Sequence, residues 1–168
     1  MKTARRKPMQ ISVGRIVAAA GSTSEFEQSI ASGKEFHLSV KNGSYQRLVI
    51  EVIGGTGHVS VAHVYQQNFD TMYDPEIVFN PDFKWSCIGI TQSPVGRSRH
   101  LNSDQANAGY YLPGVATLAD VWARNLRDQG FDSKDCEFSS LTCPSIPAPA
   151  VDSSDFFIGS VSSDEVQI

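Results

Sequence analysis

Hydrophobic and polar residues alternate along three stretches in the first half of the chain. Phe36, Leu38 and Val40 share one side of Glu35–Val40, and Leu48, Ile50 and Val52 share one side of Tyr45–Ile53. Val59, Val61, His63 and Tyr65 share one side of His58–Tyr65. A period of two marks a strand with one buried face, and the Val-rich composition suits a pleated surface. Asn42-Gly43, between the first two stretches, predicts an antiparallel hairpin because both residues tolerate positive φ. Gly54-Gly55-Thr56-Gly57 predicts the turn into the third strand. As a phosphate-cradling loop it lacks the lysine and following helix. Polar residues from Gln66 to Asp74 then form an elbow. Pro75 keeps Asp74 extended, and Glu76–Phe79 resumes as a strand. After an Asn80-Pro81-Asp82 turn, Phe83–Thr91 adds a fifth strand. Arg97, Arg99 and His100 mark a candidate short edge strand within an otherwise loop-like 92–116.

Helical spacing appears at both ends of this strand block. Ile11, Ile16, Val17 and Ala20 predict a helix over Gln10–Ala20, stopped by Gly21. Ser24 and Glu27 form a capping-box pattern, predicting a short helix to Ser32 closed by Gly33. Thr117–Gln129 is the clearest helix. Thr117 is its expected N-cap, Leu118, Val121, Trp122, Asn125 and Leu126 form its buried face, and Gly130 ends it. The expected class is α+β: an antiparallel meander of about five strands, with two N-terminal helices and one C-terminal helix packed on it. The expected organisation is a basic arm and helices over 1–34, the core domain over 35–132, and an acidic, largely disordered tail over 133–168.

Composition sharpens the tail. The chain of 168 residues carries a net charge of −4, and residues 133–168 hold six acidic residues against Lys134, a net of −5. The rest is therefore nearly neutral at +1, which leaves no broad basic footprint for nucleic acid. Lys2, Arg5, Arg6 and Lys7 form a small basic arm, most simply a frayed end. The hydrophobic share of 40% is ordinary for a globular domain and allows a modest core. No apolar segment follows the basic start as in a signal peptide, and no stretch approaches a membrane span, so a cytoplasmic location is expected. Cys87, Cys136 and Cys143 lack metal-site spacing and are expected as free thiols, with Cys136–Cys143 pairing only in an oxidising setting.

The segment VAHVYQQNFDTMYDPEIVF resembles an uncharacterised domain family of bacteria, their phages and integrated mobile elements. That family's pattern is a strand ending in A-H, then E-Q-N-G-D, a Met, and D-P-E. Ala62, His63, Gln67, Asn68, Asp70, Met72, Asp74, Pro75 and Glu76 match it. Trp122, Asn125, Leu126, Gln129, Gly130 and Phe131 match its closing W-x-x-N-L-x-x-Q-G-F. The resemblance covers roughly residues 35–132. It implies a fold and a genomic setting, with no assigned activity. Phe69 stands where the family usually has Gly, which leaves the elbow's backbone open to differ.

The candidate site is this elbow: His63, Asn68, Asp70, Asp74 and Glu76, with His58 nearby. Read as chemistry, Asn68 and the three carboxylates offer oxygen ligands to a hard cation such as Mg²⁺ or Ca²⁺, or His63 serves as a base beside them. Read as structure, Asp70 and Asp74 bond backbone N–H groups as Asx turns do, and His63 is a core histidine bonded to one of them. No motif of fixed spacing supports a nucleophile at Cys87, Ser93 or Ser98. Tyr110 and Tyr111, in a glycine-flanked patch, and Phe156 and Phe157, in the acidic tail, are candidate partner contacts. The expectation is a non-catalytic protein-binding accessory, without cofactor, acting on a host or mobile-element protein. The alternative is a metal-dependent enzyme using Asp70, Asp74 and Glu76. The order of elements is loosely similar to double-stranded-RNA-binding domains, but the basic patch they use is missing.

Overall fold

A computed structural model describes residues 7–141. The chain runs α1 (Pro8–Ala19), α2 (Thr23–Ser32), β1 (Phe36–Lys41), β2 (Arg47–Val52), β3 (Val59–Gln67), β4 (Asp70–Asn80), β5 (Ser86–Gln92), β6 (Arg97–His100), α3 (Ser103–Asn107), α4 (Pro113–Asp128) and β7 (Glu137–Ser140). The strands form one antiparallel sheet in the order β6-β5-β4-β3-β2-β1-β7. The α+β class and the meander stand, but the sheet has seven strands rather than five. One addition is β6, where the candidate edge strand lay.

The other addition is β7, inside the segment whose composition predicts a tail from residue 133. β7 pairs with β1, Leu38 opposite Ser140 and Val40 opposite Phe138. Just before it Cys136 is buried, with its thiol 3.4 Å from the Gly130 carbonyl. Ordered structure therefore continues past 133. Residues 142–168, with Phe156, Phe157 and Cys143, lie outside the described residues.

α1, α2 and α4 cover one face of the sheet. The alternation seen in the sequence sets that face: Leu38, Val40, Leu48, Ile50, Val59, Val61, Ile77 and Ile90 are buried there, each at 1% exposure or less. α4 starts four residues earlier than Thr117. Pro113 takes the first helical position, where its missing N–H costs nothing. The buried stripe is Val115, Ala119, Trp122, Ala123 and Leu126, while Val121 and Asn125 face water. α2 likewise starts at Thr23, so Ser24 lies inside the helix. Its hydroxyl accepts from Gln28 Nε2 at 3.2 Å and forms no capping box. α1 runs parallel to α4: Ser12 Oγ donates to the Ala123 carbonyl at 2.9 Å, and Arg15 approaches Asp132.

The β1–β2 connection forms around Gly43 (φ +54°), and Asn42 anchors it elsewhere. Its side-chain amide donates to the Gln129 carbonyl at 2.6 Å, tying the hairpin to the end of α4. The glycine-rich β2–β3 turn packs on the end of α2. The Gly55 N–H donates to the Gly33 carbonyl at 2.8 Å, and a Cβ on Gly57 would sit 2.6 Å from the Ile30 carbonyl oxygen. The turn reading thus has a steric cause. On the opposite face α3 covers only Val78, Ile88 and their neighbour Leu101 through Ala106.

Candidate functional site

β3 and β4 outrun their neighbours. β2 begins at Arg47, opposite Val64, and pairing of β4 with β5 starts only at Glu76 opposite Thr91. Beyond those points Tyr65–Met72, Gln66–Thr71 and Gln67–Asp70 pair alone as a two-stranded ribbon. The elbow is thus a continuous hairpin. Its polar residues break the sequence alternation because both faces of a projecting ribbon meet solvent.

The tip is the two-residue turn Asn68-Phe69, with φ of +51° and +68°. Positive φ at both positions is a type I′ turn, whose twist matches the strands and whose preferred sequence is Asn-Gly. Phe69 keeps the backbone a glycine would adopt, although its Cβ disfavours it. Its ring is fully exposed.

The hairpin separates the candidate residues. Asp70 is exposed at the tip, while Asp74 sits back at the bulge opposite His63, where the Asp74–Pro75 peptide is cis. Glu76 points to the open face and accepts from Ser60 Oγ at 2.8 Å. The turn's own bonds come from other groups: Gln66 Nε2 donates to Thr71 Oγ1 at 2.9 Å, and the Tyr73 N–H donates to Ser93 Oγ at 3.0 Å. Among the described residues, no three His, Cys, Asp or Glu side chains converge to hold a metal ion.

His63 points the other way, into the core. Its ring lies 5.4 Å from Trp122 and 5.5 Å from Phe131, and its Nδ1 is buried without a hydrogen-bond partner among the described residues. Burial pushes its pKa below the usual value; the Arg47 and Gln46 backbone and the Asp74 carboxylate oppose this only in part. The unfolded chain takes up this proton near about pH 6.5, while the fold keeps the ring neutral to lower pH. In that window the unfolded state binds more protons, so stability falls as pH drops. The melting temperature should be lower at about pH 5.5 than at about pH 7.5. In His63→Phe that drop should shrink; an unchanged pH slope would place the effect elsewhere, as at half-buried His58, whose pKa burial also lowers.

Two further features carry no signature along the chain. Across the open face, His37 Nδ1 meets Glu51 Oε1 at 2.7 Å, and His100 Nε2 meets Thr91 Oγ1 at 3.0 Å. With Ser60–Glu76 between them, these pairs form a polar band across the strands. The Tyr73 phenol stands beside it, its pKa raised by burial and by the Glu76 and Glu51 carboxylates.

At the end of the sheet opposite the ribbon lies a cavity of about 400 Å³. Met9, Phe79, Trp85, Ala116 and Ala119 form its walls. The Phe79 and Trp85 rings are 5.8 Å apart. Lys84 and Trp85 both adopt positive φ, +56° and +54°, an unusual conformation for bulky side chains. Cys87 opens into this space, but burial, with Asp120 adding and Lys7 opposing, pushes its thiol up to about 11. It stays protonated near neutrality and is a poor nucleophile. Tyr111 lies at the cavity's edge and Tyr110 beside it on the surface, both exposed. The sequence reading missed this site because its walls come from four separate segments.

The architecture is that of an α+β domain with helices on one face of an antiparallel sheet. The chain belongs to a family described as a domain of unknown function (DUF6908), which matches residues 12–132. No curated protein and no solved structure matches the chain. Among the described residues, no helix is long and apolar enough to cross a membrane.

Proposed function

We propose that the protein is a non-catalytic binding factor that engages a partner protein through the tip of the β3–β4 ribbon. The observation that carries this reading is Phe69. A large aromatic ring in solvent, on a backbone that prefers glycine, gains nothing within the fold. Aromatic residues of this kind become anchors when a partner's pocket covers them. The metal-dependent alternative loses support from the spread of Asp70, Asp74 and Glu76 along the hairpin. The resemblance to a family of phages and mobile elements supports that genomic setting. The buried free thiols of Cys87 and Cys136 suit the reducing cytoplasm.

Phe69→Gly tests the reading. It restores the preferred Asn-Gly turn, so stability should hold or rise by about 1 kcal/mol. Proteins captured from host cytosol by the wild type and lost with the glycine variant would be tip-dependent partners. Capture that is indifferent to Phe69 sinks the proposal.

A further inference from the structure

The surface around the cavity is aromatic. Phe83, Tyr110 and Tyr111 are exposed there, above an apolar floor that includes buried Trp85. A shallow groove along residues 108–113 shares Gly109 and Tyr111 with the cavity, so the two are continuous. The Phe83 ring lies against Gly109, where a Cβ would come within 2.7 Å of it. We infer that this aromatic groove is the docking site of the chain's own proline-rich segment, residues 144–149, folded back on the body that carries it. This goes beyond the role of the ribbon tip and uses no residue of the ribbon.

Three observations select this occupant. The first is chemistry. Pro-Ser-Ile-Pro-Ala-Pro, over residues 144–149, fixes φ at each proline and holds the preceding residues extended. That is a sequence for polyproline II, a helix without internal hydrogen bonds. Its carbonyls are free to accept from phenol O–H groups such as those of Tyr110 and Tyr111. Its rings pack in aromatic-lined grooves, and little entropy is lost in ordering it. The second is charge. Lys7 and Lys84 at the cavity mouth are matched by Asp82 and Asp120, so the mouth favours neither sign. Residues 138–151 carry no charged side chain at all, between Glu137 and Asp152. The later apolar cluster, Phe156 to Ile158, follows Asp152 and Asp155 and would set carboxylates beside Asp82 and Asp120.

The third is placement. β7 runs antiparallel to β1, with Ser140 opposite Leu38, so Leu141 leaves the sheet toward the end where β4 finishes and β5 begins. That is the end that holds the cavity. In the sheet order β7 lies four strand spacings from β4 and five from β5, about 19–24 Å. Pro149 is eight residues beyond Leu141, roughly 25 Å as polyproline II, and Val151 is roughly 31 Å away, which leaves slack for passing the β2–β3 turn. Tethering then populates a contact that would be weak between separate molecules. The contact is a surface one and adds little to the stability of the body, so proximity is the property to measure.

A nitroxide on Cys143, the residue before Pro144, tests this in the isotope-labelled full chain. Cys87 and Cys136 are buried, and burial raises both thiols, so they react slowly. Cys143→Ser treated in the same way sets the background. The amide signals of Gly109, Tyr110 and Tyr111 and the Trp85 indole signal should lose most of their intensity through the nearby radical. Replacing Pro147 and Pro149 together by alanine should restore most of it. Tyr111→Ala, at an exposed position, should do the same when read at Gly109 and Trp85, and Tyr110→Ala serves if Tyr111→Ala disturbs the fold. Phe69→Gly should leave the loss of signal unchanged, since the ribbon tip lies at the other end of the sheet.

Full intensity at the groove in the labelled wild type overturns the inference. So does a loss of intensity that survives both the proline and the tyrosine substitutions. Spin-labelled chains without isotope, mixed with isotope-labelled chains without nitroxide, should leave the groove signals intact. Loss of those signals in the mixture would mean that the segment is donated by another copy, and docking within one chain would fall.

Discussion

Replacing Trp122 with alanine is expected to destabilise the fold by about 3–5 kcal/mol. Trp122 is the largest side chain that α4 buries, and it meets His63 on β3 at 5.4 Å. Its Nε1–H has no hydrogen-bond partner among the described residues, so truncation breaks no bond there. The loss is one of packing: apolar area returned to water and a cavity left between helix and sheet. Trp122→Phe fills part of that space and should lose much less. Denaturant unfolding of the three proteins would show this as a shift of midpoint with little change of slope. An unmoved midpoint in Trp122→Ala would mean that α4 is not held on the sheet through this residue.

The second large effect concerns where the chain can be cut. Ending the protein at residue 132 should cost roughly 3 kcal/mol or more, from lost apolar burial and several ladder hydrogen bonds. The cut removes buried Cys136, half-buried Phe138 and all of β7, and it exposes the edge of β1. Ending it at residue 141 should leave the melting temperature nearly unchanged, since that cut keeps Cys136, Phe138 and the whole of β7 on β1. Equal melting temperatures for the two truncations would show that β7 adds nothing. Failure of the longer one to fold would place residues after 141 in the core.

These two predictions fall on either side of what the sequence made legible. The interior strands could be read because one buried face imposes a period of two on Phe36–Val40, Leu48–Val52 and Val59–His63. Trp122 could be read because a helix over a sheet must bury a stripe. β7 could not be read: Glu-Phe-Ser-Ser is a short edge strand with one half-buried residue, so its backbone pairing leaves almost no hydrophobic trace. The start of α4 was hidden for a different reason. Pro113 and Gly114 read as breakers unless Pro113 is placed at the first helical position. The elbow's residues were found, but their separation was not, because three carboxylates close in sequence lie far apart once a two-residue turn sends them along an extended strand. The cavity was invisible, since Met9, Phe79, Trp85 and Ala119 meet only in three dimensions.

The sheet order has a consequence for how the chain acquires its structure. Every strand from β1 to β5 pairs with its immediate successor, so these contacts are local and close early. β7 alone reaches back, joining Ser140 to Leu38 across about 100 residues of chain. At translation rates of about 5–20 residues per second, that partner arrives roughly 5–20 s after β1 has been made. Through that interval β1 presents an unpaired row of N–H and C=O groups along Phe-His-Leu-Ser-Val, with a charged residue only at its end, Lys41. A nascent or truncated chain is therefore most exposed to wrong pairing at β1, and the last strand to be synthesised is the one that closes that opening.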